Sequence, residues 1–269
     1  MEWEFEKERL GKSIVRDLYE HEFIKTIYSN EDNVEGWTLK SGIWSPVYIN
    51  LRPVGSVSEI FEEISYGLDR LIHYEAPKTT ILVGIEMAGI PLAVGASLEL
   101  RHTLPTRGFP FAYTRSLPGK KVRTVEEAKT ALAQLDRVHD YGGHSLVEGH
   151  FENGDVICLV DDMTTNIESK LISREIIKHE LKSRGIEEYS CNDVAVLLDR
   201  EQGAQEQAKK HGINLMSLIK FKTNGLEWLE EKMNPQEHSL IKDYLANTQK
   251  YQDADLISAE REKAKNFFE

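Results

Sequence analysis

Two adjacent carboxylates and a short run of hydroxyl and amide side chains are the residues of this sequence whose types and spacing could do chemistry. Asp161 and Asp162 come first, and Thr164, Thr165 and Asn166 follow them. A turn of this composition at the start of a helix could bind an anion such as phosphate through free backbone N–H groups. Such turns also carry Asp and Thr merely as helix caps, and the turn alone leaves the two interpretations open.

The flanking sequence predicts the elements that position this turn. The run from Val156 to Val160 is apolar, rich in β-branched residues and too short for a helix, which indicates a strand buried on both faces. The carboxylates stand where that strand should end, and apolar residues then recur at helical spacing through a segment ending near Arg184. In an open α/β sheet this order places the turn at the carboxyl ends of the strands, where ligands bind.

Composition narrows the class of protein. The 269 residues are 40% hydrophobic and 29% charged, which is typical of a globular protein with ample core material. The net charge of −12 argues against general nucleic-acid binding, although a local basic patch would be compatible with it. No apolar run reaches about 18 residues and the N-terminus is acidic, so we expect no membrane span, no signal peptide and a cytoplasmic location. Cys158 and Cys191 are interpreted as reduced core residues.

The segment L-V-D-D-M-T-T-N-I-E-S resembles the phosphoribosyl-pyrophosphate (PRPP) motif of the type I phosphoribosyltransferases. The resemblance implies that Asp161 and Asp162 hold the ribose hydroxyls and that Thr164, Thr165 and Asn166 cradle the 5'-phosphate. The family usually has a glycine in this turn. An ungapped comparison places Ile167 there, and a turn shortened by one residue places Asn166 there. The shortened turn is physically easier, because Asn adopts the left-handed backbone conformation more readily than a β-branched residue.

A second stretch, T-L-K-S-G-I-W-S-P, resembles the signature of the orotate phosphoribosyltransferases within that family. The turn signals Ser41-Gly42 and Ser45-Pro46 predict that it forms a hairpin. The resemblance implies that Lys40 approaches the orotate, and that Tyr48 and Ile49 line the base pocket in place of an aromatic pair.

A glycine-containing loop, I-E-M-A-G, lies between a predicted strand at Ile81–Gly84 and a predicted helix at Pro91–Leu100. Its glycine could have a structural role only, as an ordinary turn residue. The loop also resembles the pyrophosphate loop of the family, which implies binding by backbone N–H groups of the residues Glu86, Met87, Ala88 and Gly89. The Tyr that the family often has at Met87 and the Lys that some members have at Ala88 are absent.

The catalytic loop of the family is matched at its two ends. Arg115 follows a predicted strand that begins at Phe109 and matches the Arg that begins the loop, but Ser116 replaces the Lys that follows. After an insertion over about 116–138, His139 stands at the position of the catalytic Lys, and the end of the loop is matched by Asp140, Tyr141 and Gly142. Basic residues within the insertion either supply the missing charge or form a solvated surface. They are Lys120, Lys121 and Arg123.

A last motif, L-L-D-R-E-Q-G, follows a predicted strand at Asp193–Leu198. It resembles the family segment whose Arg reaches the pyrimidine, which implies an orotate-binding role for Arg200. A guanidinium offers a planar fork to carbonyl or carboxylate oxygens and could therefore select orotate over an uncharged base. An ion pair between Asp199 and Arg200 at the strand end is the simpler alternative.

The remaining predictions concern structure. Apolar spacing predicts helices over about 3–29 and over 58–72, the second with a capping box between Ser56 and Glu59. We expect a single domain, 1–269, made of N-terminal helices and a hood hairpin (1–57), an α/β core (58–220) and C-terminal helices (221–269).

Together, these motifs predict an α/β fold, type I phosphoribosyltransferase-like, with a mainly parallel central sheet flanked by helices and an N-terminal hood. The resemblance implies a transferase of pyrimidine biosynthesis that converts orotate and PRPP, with Mg2+ bound through PRPP, to orotidine 5'-monophosphate and pyrophosphate. It also implies a homodimer that shares the catalytic loop. The alternative is a catalytically weakened relative that binds a nucleotide or a protein partner as a regulatory module. The departures that favour it are at Met87, Ser116, His139 and Ile167.

Overall fold

Strands and helices alternate through the core of the chain. A computed structural model describes residues 2–39, 42–103, 109–135 and 145–269. The strands are β1 (Ile24–Thr26), β2 (Trp37–Thr38), β3 (Trp44–Ser45), β4 (Val47–Ile49), β5 (Ile81–Gly84), β6 (Phe111–Thr114), β7 (Val147–Glu148), β8 (Asp155–Thr164), β9 (Tyr189–Asp199) and β10 (Asn214–Lys220). The helices are α1 (Glu2–Glu20), α2 (Ser58–Glu75), α3 (Gly89–Thr103), α4 (Val125–Ala133), α5 (Glu168–Ser183), α6 (Ala204–Lys210), α7 (Leu226–Leu229), α8 (Pro235–Ala246) and α9 (Ala254–Phe268).

The six strands of the central sheet lie in the order β10-β9-β8-β5-β6-β7, and all neighbours are parallel except β6 and β7. The predicted α/β class with a mainly parallel sheet is therefore confirmed. Apolar residues on both faces of the strands explain why helices cover both sides. Cys158 and Val160 belong to a core shared with α1, α2 and α3, whereas Ile157 and Leu159 belong to a second core shared with α4 and α5.

Strand β8 is longer than the apolar run predicts. It continues to Thr164, so Asp161 and Asp162 lie within the strand and not after it. The reason is its neighbour β9, which pairs with β8 as far as Thr164 beside Asp199. Backbone hydrogen bonds to a partner strand can extend a strand past its apolar residues, and a hydropathy pattern does not reveal this.

The N-terminal segment differs from its prediction. Helix α1 ends at Glu20, and Ile24–Thr26 is not the continuation of a helix but strand β1, which pairs antiparallel with β4. Glu22, with φ of 58°, takes the left-handed conformation that ends the helix. Ile24 and Ile27 are buried in either arrangement, and apolar spacing could not distinguish the two.

The predicted hairpin is confirmed by the antiparallel pairing of β2 with β3. The predicted capping box of α2 is wrong, because the residue before the helix is Val57 and no side chain caps it. The hydroxyl of Ser56 instead donates to the carbonyl oxygen of Pro53 at 2.7 Å. No helix among the described residues has the length and hydropathy needed to cross a membrane.

Candidate functional site

A cavity of about 230 Å³ opens at the carboxyl edge of the sheet, between the β5–α3 turn and the β8–α5 turn. It brings together seven of the residues that the sequence singles out, and the sequence did not point to Arg52, Ser169 or Lys170, which also line it. The seven are Glu86, Met87, Ala88, Asp161, Asp162, Thr165 and Asn166. The predicted position of the site at this edge is what the parallel order of β5 and β8 produces.

A buried ion pair forms the floor of the cavity. The Nζ of Lys170 lies 2.9 Å from Oδ2 of Asp161, and the side chains are 3% and 11% exposed. The same ammonium donates to the carbonyl oxygen of Met163 at 2.8 Å. On its other side, Oδ1 of Asp161 accepts the backbone N–H of Asp162 at 3.0 Å. The direction of the Asp161 carboxylate is therefore fixed at both oxygens.

Asp162, the second carboxyl group of the pair, has a raised pKa. Burial raises its pKa from 3.8 to about 7, the negative charge of Asp161 adds to the rise, and Lys170 opposes it. The backbone N–H of Met163 donates to Oδ1 of Asp162 at 2.7 Å. The Asp162 carboxyl group therefore gains and loses its proton near neutral pH.

The β8–α5 turn keeps free backbone donors for an anion. The N–H groups of Thr165, Asn166 and Ser169 have no hydrogen-bond partner among the described residues. They lie at the start of a 16-residue helix, whose dipole favours negative charge there. The N–H of Ile167 is already used, because it donates to the side chain of Gln207 at 3.3 Å.

The same turn closes without a left-handed residue. Glu22 and Glu201 are the only non-glycine residues with positive φ in the part of the chain that the structure describes, so the left-handed conformation predicted for Asn166 is wrong. The side-chain oxygen of Asn166 instead accepts the N–H of Glu168 at 3.0 Å and caps the helix. Ile167, with φ of −97°, packs into the second core and is 1% exposed.

Thr164 does not line the cavity. Its side chain is buried, and its hydroxyl donates to the carbonyl oxygen of Asn166 at 2.7 Å. Its own carbonyl oxygen accepts the N–H of Arg200 at 3.0 Å. This residue therefore stabilises the turn from below, while Thr165 is the threonine that faces the cavity.

The β5–α3 turn offers fewer backbone donors than the sequence predicts. The N–H of Gly89 donates to the carbonyl oxygen of Ile85 at 2.9 Å, and that of Glu86 to the Thr114 hydroxyl at 3.3 Å. Among the described residues, the N–H groups of Met87 and Ala88 have no partner. A Cβ atom at Gly89 would lie 2.1 Å from the carbonyl oxygen of Val160, so only glycine lets this turn approach β8 so closely.

Arg115 does not line the cavity. Its Nη1 lies 3.0 Å from Oε1 of Glu148 on β7, and its backbone N–H donates to the carbonyl oxygen of Leu146. The next residue, Ser116, binds the carboxylate of Glu86 through both its N–H, at 2.6 Å, and its hydroxyl. The beginning of the predicted catalytic loop is therefore tied to the β5–α3 turn through Glu86.

The described part of the insertion packs on the protein. Helix α4 lies against α5, and the N–H of Val125 donates to Oε1 of Glu168 at 2.7 Å. Leu132 is buried in the second core. The three basic residues lie on the exposed surface and do not line the cavity, as a solvated surface would require. They are Lys120, Lys121 and Arg123.

Three predicted site residues, Lys40, His139 and Asp140, lie outside the described residues. Two others, Tyr48 and Ile49, are neighbours on β4 and point to opposite sides. Tyr48 is exposed and stacks on Trp37 with ring centroids 5.7 Å apart. Ile49 is buried opposite Ile24, so its side chain contributes to the core.

Arg200 is a buried cation with unused donors. It is 6% exposed, and Nε and Nη2 have no hydrogen-bond partner among the described residues. These two atoms form the side of a guanidinium that binds a carboxylate in bidentate fashion. Burial lowers the pKa of Arg200, and the neighbouring Tyr244 partly offsets this. The predicted alternative of an ion pair with Asp199 is wrong, because that carboxylate accepts from the Glu201 N–H and the Gln205 side chain.

The solved structures that this chain resembles define its class. Leishmania donovani UMP synthase superposes with a TM-score of 0.63 at 19% identity, covering 87% of this chain and 42% of that one. The orotate phosphoribosyltransferase of Aeropyrum pernix superposes with a TM-score of 0.54 at 22% identity, covering 81% of this chain and 98% of that one. The chain therefore has the type I phosphoribosyltransferase fold.

Within that class, the sequence is similar to the orotate phosphoribosyltransferases, as its motifs predict. It is 26% identical to that of Caenorhabditis elegans over 227 residues, 83% of this chain and 85% of the relative. It is 28% identical to that of Sulfurisphaera tokodaii over 228 residues, 83% of this chain and 97% of the relative. The chain spans only 35% of the uridine 5'-monophosphate synthase of Bos taurus, at 26% identity over 78% of itself. No family model matches the chain.

Proposed function

We propose that this protein is an orotate phosphoribosyltransferase of pyrimidine biosynthesis, which transfers the phosphoribosyl group of PRPP to orotate. The observation that carries the proposal is the cavity in which the carboxylates Asp161 and Asp162 meet free N–H groups from two separate turns. PRPP has two anionic ends joined by a ribose, and this arrangement offers donors at two ends and carboxylates between them. The relatives are named as enzymes and give no support to the non-enzymatic alternative.

Each part of PRPP has a place in this cavity. The 5'-phosphate binds the free N–H groups of Thr165, Asn166 and Ser169 at the start of α5. The pyrophosphate binds those of Met87 and Ala88, which act through the backbone and do not depend on side-chain type. Gly89 lets that turn come close enough to do so.

In the proposed reaction, the bond between the ribose C1' and pyrophosphate breaks while N1 of orotate bonds to C1', and the proton of N1 passes to the departing pyrophosphate. Positive charge develops on the ribose ring as the bond to pyrophosphate breaks. Asp161 and Asp162 hold the ribose hydroxyls and offset that charge from fixed positions, which lowers the barrier without reorganisation. Arg115, His139 and Asp140 are proposed to act on the departing pyrophosphate, as the family resemblance implies.

Arg200 is proposed to select orotate through its carboxylate. The unpaired Nε and Nη2 atoms of this buried guanidinium fit a bidentate contact, which a base without a carboxylate cannot make. Lys40 is proposed to approach the same end of the site. Tyr48 offers a ring face to the pyrimidine, and Ile49 shapes the pocket from the core side of β4.

We propose that Mg2+ enters with PRPP and is held by the oxygens of its phosphates. Mg2+ keeps several waters and often binds through substrate phosphates. Among the described residues, no group of three or more His, Cys, Asp or Glu is placed to hold a metal ion. When bound, the ion neutralises the pyrophosphate. A homodimer, a cytoplasmic location and a single domain over 1–269 remain part of the proposal, and the buried free thiols of Cys158 and Cys191 suit a reducing compartment.

The test is the consumption of orotate by the purified protein in the presence of PRPP and Mg2+, followed by its ultraviolet absorbance. We expect turnover that requires all three components, with orotidine 5'-monophosphate and pyrophosphate formed in equal amounts. Calorimetry with PRPP and with orotidine 5'-monophosphate runs beside the assay. Binding of both ligands without any turnover would overturn the enzymatic proposal.

A further inference from the structure

Lys170 supplies one of only two positive charges among the described residues that line the cavity, against three acidic side chains. The charged side chains that line it, among the described residues, are three carboxylates and two cations. The carboxylates belong to Glu86, Asp161 and Asp162, and the cations to Arg52 and Lys170. Removing Lys170 would leave Arg52 alone against three acids, and such a cavity would repel an anionic ligand.

The position of Lys170 is unusual for a lysine in the first turn of a helix. Its side chain is 3% exposed, and it turns back from α5 to the end of β8. Two of its three N–H groups donate, to Asp161 at 2.9 Å and to the Met163 carbonyl oxygen at 2.8 Å. Among the described residues, the third N–H of this ammonium has no acceptor.

Lys170 also supplies a positive charge that the β5–α3 side of the cavity does not have. Ser116 replaces a Lys of the family. It hydrogen-bonds the Glu86 carboxylate but carries no positive charge that could neutralise it. A cation is present instead on the α5 side, within hydrogen-bond distance of Asp161.

We propose that Lys170 is a positioning residue of the phosphoribosyl site, which holds the Asp161 carboxylate in place under the ribose through their buried ion pair. This inference rests on the proposed function. A buried ion pair with a purely structural role would affect stability alone. Lys170 also opposes the raised pKa of Asp162, so its removal should change how activity depends on pH.

The experiment compares Lys170→Met, which keeps the length of the side chain, with Lys170→Arg, which keeps the charge. The matched control is Lys7→Met, because Lys7 forms another partly buried ion pair, with Glu75 at 2.7 Å, on α1 and away from the cavity. The readout is kcat/KM for PRPP between pH 5 and 9. Glu86, Asp162 and Arg52 are the other charged groups that face Asp161, and all remain in every variant.

We expect Lys170→Met to lower kcat/KM for PRPP at least tenfold at pH 7. The acidic limb of its profile of kcat/KM against pH should move to higher pH by about one unit, because a cation next to the carboxyl groups is lost. Lys170→Arg should recover most of the activity and return the limb towards its original position. Lys7→Met should lose stability with an unchanged profile. An unchanged acidic limb in Lys170→Met would overturn the proposal.

A double variant keeps the test decisive if Lys170→Met does not fold. Asp161→Asn with Lys170→Met leaves no unpaired charge in the floor of the cavity, so it should fold. If Lys170 acts through Asp161, the double variant is no less active than Asp161→Asn alone at pH 9, well above the pKa of Asp162. A double variant at least tenfold less active than Asp161→Asn at pH 9 would overturn the proposal.

Calorimetry with PRPP separates failure of this inference from failure of the proposed function. If the wild-type protein shows no turnover, the proposed function is wrong and the inference is judged on PRPP affinity alone. Weaker binding in Lys170→Met than in Lys7→Met, with a larger difference at pH 6 than at pH 8, would then support it. Equal affinities of the two variants would overturn it.

Discussion

The two turns that meet at the cavity offer an anionic ligand different groups. The β5–α3 turn contributes the N–H groups of Met87 and Ala88, and its glycine allows close packing on β8. The β8–α5 turn has its own free N–H groups and lies beside two buried charged side chains, Asp161 at the end of β8 and Lys170 at the start of α5. Substitutions in the β5–α3 turn should therefore change activity by altering the backbone shape. Substitutions beside the β8–α5 turn should change it by altering the charge.

The largest loss of activity is expected from substitutions at Asp161 and Asp162. Changing Asp161 and Asp162 together to Asn removes both carboxylates that offset charge on the ribose, and should lower kcat on the order of a thousandfold. The circular dichroism spectrum below the unfolding transition should remain that of the wild type, because the amide side chains keep the shape of the site, while Tm should fall because Lys170 loses the partner of its buried ion pair. Full activity in this double variant would contradict the role given to the β8–α5 turn.

In the β5–α3 turn, we expect a large loss of activity only from a substitution that changes the shape of the backbone. Gly89→Ala places a Cβ 2.1 Å from the Val160 carbonyl oxygen. The resulting shift of the turn should lower kcat/KM for PRPP about a hundredfold. Met87→Ala is the matched variant. Its side chain is 77% exposed, and loss of that side chain should change the same constant by no more than about threefold. Equal losses in both variants would show that side chains, not backbone shape, govern this turn.

A separate effect is expected on the base side of the site. Arg200→Ala should raise KM for orotate by about ten- to a hundredfold, because a charge-assisted hydrogen-bond pair is lost. The KM for PRPP should change much less, and Lys40→Ala should show the same preference. Arg200→Lys is the control, since it keeps the charge without the bidentate geometry and should recover only part of the affinity. Equal changes for both substrates would show that the base pocket is misplaced.

The smallest effect concerns stability as a function of pH. Burial raises the pKa of Asp162 from 3.8 to about 7, so the folded protein keeps a proton that the unfolded chain releases. Stability from this group is therefore present at low pH and is lost as pH rises towards 7. Asp162→Asn should reduce the fall in Tm between pH 5 and pH 8 by a few degrees.

The control for this measurement is Asp255→Asn, which changes an exposed carboxyl group on α9. Asp69, whose pKa burial also raises to about 7, is present in every variant and cancels in the comparison. A Tm profile of Asp162→Asn that parallels the wild type would show that Asp162 does not carry the predicted perturbation.

Much of this arrangement was predictable from sequence. The apolar runs of β5, β8 and β9 and the turns that follow them are local signals, and they sufficed for the fold class and for placing Asp161 and Asp162 at the sheet edge. Lys170 was missed because a lysine at the start of a helix usually lies in solvent. Its burial depends on the approach of α5 to β8, which no local pattern reports.

Other features depended on distant partners in the same way. Ile24 is in a strand and not a helix because it pairs with Ile49, 25 residues later in the chain. Arg52 was missed because it belongs to no recognised motif. It lies in the N-terminal hood segment and still lines the cavity. The conformation of Asn166 was predicted wrongly, because its side chain caps α5 and makes a left-handed residue unnecessary.

A crystal structure of the protein with orotidine 5'-monophosphate bound would test the assignment of the cavity most directly. We expect the phosphate to lie on the N–H groups of Thr165, Asn166 and Ser169, and the ribose hydroxyls to lie beside Asp161 and Asp162. The carboxylate of the base should meet Nε and Nη2 of Arg200. A nucleotide bound outside the cavity, or with its phosphate on the β5–α3 turn, would contradict the roles proposed for the two turns.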